Sequence, residues 1–119
     1  MKKIVKTQIK SLDSINSYES KAIYHQNTLK YKEDDVTVVM EINDDNIVLK
    51  RHNNDFNYTF TFNKNNSFLE YTLNLNNYKF KIDFKTDELI TKDDKIFISY
   101  TLEDIKYTYE VIIREELWY

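Results

Sequence analysis

Arg51 lies in the stretch IVLKRHNN at residues 47–54, and its guanidinium carries five donors suited to a carboxylate or phosphate. Stepping by two from Ile47 gives Ile47, Leu49 and Arg51, so the charge shares a strand face with two aliphatics. The other reactive types are sparse. The two histidines, His25 and His52, fall beside predicted turns with no carboxylate or second histidine at ligand spacing, which marks them as surface residues and not a metal pair. Ser67 and Ser99 sit in strand sequence without the glycine elbow of a serine nucleophile. Acidic pairs at 34–35, 44–45 and 93–94 lack the glycine of a looped calcium site and read as turns. Glu115 and Glu116 are adjacent and point to opposite faces of a strand, the wrong geometry for paired acid–base work. Cysteine is absent, which removes thiol chemistry and disulfides together. These residues predict no catalytic centre, no cofactor and no metal.

Aromatic residues make up 15% of the chain, with ten tyrosines, and their spacing turns that number into a pattern. Phe56, Tyr58, Phe60 and Phe62 share one face, as do Tyr78, Phe80, Ile82 and Phe84. Ile96, Ile98, Tyr100 and Leu102, then Ile105, Tyr107, Tyr109, Val111 and Ile113, repeat it; Leu69, Tyr71, Leu73 and Leu75 form a further set, and Val36, Val38, Met40 and Ile42 another. Alternation of period two in this many segments predicts half-buried antiparallel strands. Lys79, Lys81 and Lys85 take the opposite face, where they keep a strand soluble.

The chain has neither glycine nor proline, so turns that need positive φ fall to Asn and Asp. Such pairs recur about every ten residues, the spacing of strands joined by hairpins. A strand is expected at 3–11 and another around Leu29 and Tyr31. Residues 12–24 are ambiguous, with 13–20 a helical turn or a loop, and 86–94 carries a short helical possibility as a connection between strands.

Eight to ten strands over 119 residues fit one domain spanning 1–119, all-β, and a closed meander barrel hides one face while leaving no edge. A two-sheet sandwich is the competing arrangement. The formal net charge of -3 gives no electrostatic drive toward nucleic acid or an anionic membrane. The opening MKKIVKTQIKSLDS has lysines but no apolar run behind them, which predicts a cytoplasmic protein.

The run from Tyr24 to Glu115 resembles the YwiB-like family of small bacterial proteins. The resemblance rests on IVLKRHNN, where the family has an aliphatic strand ending in Arg-x-Gly, on YTLNLNNYKFKIDF and on KIFISYTL. It implies a calycin, lipocalin-like barrel and no assigned activity. The chain departs from the pattern at Asn53 and Asn76, which stand where the family has glycine; asparagine is expected to hold the left-handed turn.

Two functions follow as expectations. In the first, Arg51 and the inward Phe56, Tyr58, Tyr71, Tyr78, Tyr100, Tyr107 and Tyr109 bind a small amphipathic or anionic molecule at the barrel mouth. In the second, the rings fill the core and the protein acts through its outer surface or as a homodimer, with Trp118 in a terminal apolar patch. No Asp or Glu takes an inward position on the strands at 36–42, 56–62, 69–75, 78–84 or 96–102, so no salt bridge is expected for Arg51. With Asn53-Asn54 as a two-residue turn, Arg51 would lie opposite Phe56 at the rim, its head in water.

Overall fold

The computed structural model describes residues 2–75 and 77–115 and consists of ten strands. They are β1 (Lys2–Lys10), β2 (Ile15–His25), β3 (Thr28–Glu33), β4 (Val36–Ile42), β5 (Ile47–His52), β6 (Phe56–Phe62), β7 (Ser67–Leu73), β8 (Tyr78–Thr91), β9 (Lys95–Leu102) and β10 (Ile105–Glu115). Each pairs antiparallel with its neighbour in sequence, and β1 also pairs with β10, closing the barrel. The expected meander is the fold.

Closure rests on a ladder running from Lys3 opposite Glu115 to Lys10 opposite Thr108. With no outer edge along that seam, every inward side chain must pack against the others. The aliphatic part of the core is Val5, Leu29, Val38, Met40, Ile47, Leu49, Ile96, Ile98 and Val111, all nearly inaccessible to water. Phe60 and Phe62 on β6, Phe84 on β8 and Tyr100 on β9 add a ring cluster, with centroids 5.1–6.2 Å apart.

Three segments depart from the sequence expectation. Residues 15–25 form a strand throughout, because β1 supplies a continuous pairing partner from Lys2–Ile23 to Lys10–Ile15 that local propensity does not reveal. β8 continues to Thr91 through a bulge between Thr86 and Glu88, where Asp87 is the extra residue and accepts a bond from Thr101 Oγ1 at 2.8 Å. The bulge shifts the inward set from Thr86 to Leu89 and breaks the period on which the reading depended. Leu73 and Leu75 are turned to solvent, Leu75 almost completely, since β7 ends at Leu73 before the barrel wall continues.

The turns solve the glycine problem in two ways. Gln26, Asp34, Asn77, Glu103 and Asp104 adopt positive φ, between 51° and 66°. Asn53 does not: its Oδ1 accepts from the Asp55 and Phe56 amides at 2.8 and 3.1 Å, an Asx turn that needs no left-handed backbone. Asn76, the other glycine replacement, lies outside the described residues, as do Glu116 and Trp118. Neighbouring turns are laced together: Asn74 Nδ2 donates to the Asn53 and Asn54 carbonyls, and Asn53 Nδ2 donates to Asp35.

Phe62, fully buried against Phe60, Phe84 and Tyr100, is the clearest test of this core. Phe62→Ala is expected to cost about 3–5 kcal/mol in urea unfolding; a loss below about 1 kcal/mol would mean the ring cluster collapses around the gap.

Candidate functional site

The odd-numbered loops of the meander gather at one end of the barrel: 11–14, 34–35, 53–55, the described residues 74, 75 and 77, and 103–104. Just inside this end, the strand registers bring Tyr31, Val38, Arg51, Tyr58, Tyr71 and Phe80 into one cross-strand row running from β3 to β8. Alternation places each on the inward face, and cross-strand pairing makes each a direct neighbour of the next.

Arg51 faces Tyr58, not Phe56, because the hairpin closes with the Asn53 amide donating to the Phe56 carbonyl, which makes Asn54 and Asp55 the two turn residues in place of Asn53 and Asn54. Phe56 stacks on Tyr58 instead, at 4.5 Å between centroids. The larger correction concerns charge. Glu33, at the end of β3, points inward and its carboxylate is wholly buried. Arg51 Nη2 lies 2.9 Å from Glu33 Oε1, while about a fifth of the arginine side chain, 22%, stays accessible. The salt bridge absent from the sequence expectation is present.

Glu33 is a hub. Its Oε2 accepts from Thr7 Oγ1 at 2.9 Å and from the Tyr109 hydroxyl at 2.8 Å. Tyr109 spends its proton on the carboxylate, so Tyr31, in contact with the Tyr109 oxygen, donates to it. Residues from β1, β3, β5 and β10 thereby meet across the interior. One part is incomplete: the Arg51 contact is ionic and not an aligned hydrogen bond, and Glu33 Oε1 and the buried Arg51 Nε have no hydrogen-bond partner among the described residues.

Burial raises the phenol pKa values of Tyr31, Tyr100 and Tyr109, since a phenolate in the core would lose its hydration. Next to desolvation, the Glu33 charge raises Tyr31, the neighbouring Tyr107 raises Tyr100, and Tyr31 and Glu33 raise Tyr109. All three remain neutral donors well above neutral pH.

The sequence-predicted ligand residues therefore divide. Tyr100 and Tyr109 are buried; Phe56, Tyr58, Tyr71 and Tyr107 are half-buried; Tyr78, expected inward, is 54% exposed because it opens β8 at the barrel end. The half-buried rings are continuous: Tyr58 meets Tyr71 edge to face at 5.3 Å, and Tyr107 stacks on Tyr100 at 5.2 Å. Glu33 and Thr7 were missed. Continuing the alternation Leu29, Tyr31 by one step reaches Glu33, so the signal was present in the sequence.

Of the other candidates, His25 is exposed and His52 partly so, Ser67 is buried in hydrogen bonds to Asn63 and Thr86, and the acidic pairs occupy turns or bends. Among the described residues no group of three or more His, Asp or Glu could hold a metal ion, and no helix is long and apolar enough to cross a membrane.

No family model matches the chain, and no curated protein matches it. Among solved structures it is similar to the YwiB protein from Bacillus subtilis, with a TM-score of 0.64 at 12% identity, over 98% of this chain and 91% of that one. At this identity the likeness shows the fold alone.

Two measurements check the network. Arg51→Gln leaves a buried carboxylate without its counter-charge and is expected to cost about 3 kcal/mol, whereas Glu33→Gln/Arg51→Gln removes both charges and recovers most of the loss. Additive losses in urea unfolding would show that the two residues are uncoupled. On the alkaline side, the unfolded chain ionises its phenols near pH 10 while the fold holds three of them protonated. Stability is then full below about pH 10 and falls as pH rises beyond it. Tyrosinate absorbance from these three is expected to appear together with loss of circular dichroism; their ionisation near pH 10 in an intact fold would contradict the network.

Proposed function

We propose that the protein is a non-enzymatic, cytoplasmic binding protein of the YwiB-like, calycin type, taking a small amphipathic molecule at the Arg51 end of the barrel. The observation that carries this reading is Arg51 itself. A guanidinium with partial water access and one buried N–H lacking an acceptor stands beside half-buried rings, so an entering acceptor would gain a charge-assisted hydrogen bond while its apolar part covers Tyr58, Tyr71, Tyr107 and Phe56. Glu33 refines the ligand class. Because it already neutralises the arginine, a head group that accepts hydrogen bonds is favoured over one that relies on net negative charge.

A second reading, an interaction module or homodimer, is favoured by exposed Ile15 and Ile23 on β2. The two readings separate in native mass spectrometry of the protein purified from its own host. Ligand binding predicts a small-molecule adduct whose occupancy falls about ten-fold or more in Glu33→Gln/Arg51→Gln. Undiminished occupancy in that variant, or an adduct-free chain running as a stable dimer, overturns it.

A further inference from the structure

The barrel has one weak seam. β2 and β3 pair only through Ile23–Lys30, Tyr24–Leu29 and His25–Thr28, at the end away from Arg51. Beyond Ile23 the ladder stops, and the Lys32 amide turns to the Ser20 hydroxyl, at 3.3 Å, in place of a strand carbonyl. The strands part there, opening on the outer wall a groove of about 490 Å³. Ala22 and Tyr31 lie along it, and the side chains around it are Lys2, Lys21, Ile23, Lys30, Lys32, Thr37 and His52.

Among the described residues that lining has four lysines and no carboxylate, in a chain whose net charge is negative. Three acids on the strands are engaged elsewhere: Glu19 with Lys6 and Arg114, Glu41 with Lys50, and Glu33 with Arg51 inside the barrel. Lys30 and Lys32 form no ion pair among the described residues. Two apart on β3, they project from the same outer face about 6–7 Å from each other, a spacing that lets two ammonium groups share one tetrahedral oxyanion. Lys32 is also in register with Thr37, which is in register with His52, adding a hydroxyl and an imidazole to that side. The apolar component is Ile23, 58% exposed and held between Lys2 and Lys30 by the strand registers. An exposed isoleucine ringed by lysines matches a molecule with an anionic head and a short hydrocarbon tail.

We propose that this groove is a second binding site, on the outer wall and separate from the interior site at Arg51, for a soluble organic anion bearing a phosphate or sulfonate head. Lys30, Lys32, Thr37 and His52 take the head, and Ile23 and Ala22 take the tail. The groove is confined between two strands and its volume suits one small molecule, so the ligand assigned to it is free in solution and not a lipid in a bilayer.

The test uses monohexyl phosphate as probe, with inorganic phosphate and hexanol as controls, followed by amide chemical shifts of the full chain. Saturable shifts are expected at 21–23, 30–32, 37 and 52, weakened at least about ten-fold by Lys30→Gln/Lys32→Gln. Both substitutions are at exposed positions, so the variant keeps its fold. Ile23→Ser is expected to weaken hexyl phosphate several-fold and leave inorganic phosphate unchanged. The proposal is overturned if hexyl phosphate binds no tighter than inorganic phosphate, if hexanol binds equally well, or if the shifts fall instead at 56–58, 71, 100 and 107. Co-sedimentation with phosphatidylglycerol vesicles that depends on Lys30 and Lys32 would overturn the assignment to a soluble ligand.

Discussion

Closure by the β1–β10 ladder is the constraint from which the rest follows. Once the first and last strands pair, inward side chains away from the barrel ends can reach neither water nor another sheet, and a polar group buried among them must find its partner across the interior. A carboxylate on β3 is tolerable inside only because β1 supplies a hydroxyl, β10 a phenol and β5 a guanidinium. These four strands are distant in sequence. The network therefore forms only in the closed barrel, and it resists any register slip, since moving a strand by one residue would send its contribution to the outside.

The absence of glycine and proline tests how much of such a fold depends on special backbone residues. Among the described residues five accept positive φ, yet other turns avoid the need by capping themselves with asparagine side chains, as at Asn53 and Asn63. Asn63 Oδ1 holds the Asn65 amide, and Asn63 also reaches the Asp45 carbonyl of the adjacent turn. Asparagine thus does two jobs, shaping its own turn and tying it to the next, where glycine could do only the first.

Strand sequence was legible wherever the alternation is unbroken. β4, β6 and β9 could be drawn from their side chains alone, and so could the outward lysines of β8. Legibility failed where the cause is not local. β2 is strand because β1 lies beside it, and the far half of β8 is hidden by a one-residue bulge that inverts the pattern. Arg51 shows a third kind of failure. Its inward direction was readable, but its partner lies on β3, a strand recognised from Leu29 and Tyr31 without the next alternating step to Glu33. The turn then displaces it by one pair: Asn53 caps the hairpin and bonds Phe56, so the two turn residues are Asn54 and Asp55 and not the asparagine pair.

Pairing with Glu33 changes what Arg51 can do. An unpaired guanidinium at a barrel mouth is an anion trap, and its selectivity lies in charge. A guanidinium held on one side by a buried carboxylate keeps its donors but loses its net field, so discrimination passes to hydrogen-bond geometry and to the shape of the surrounding rings. Net positive charge is found instead on the outer wall, where Lys30 and Lys32 stand beside the parted β2 and β3 strands with no carboxylate in the lining. Under the two proposals the barrel separates two kinds of recognition: a neutralised, aromatic interior end that favours acceptors with an apolar body, and a basic seam that favours anions. The wall between them is thin, because Tyr31 lines the seam while its hydroxyl joins the network that holds Glu33 and, through it, Arg51.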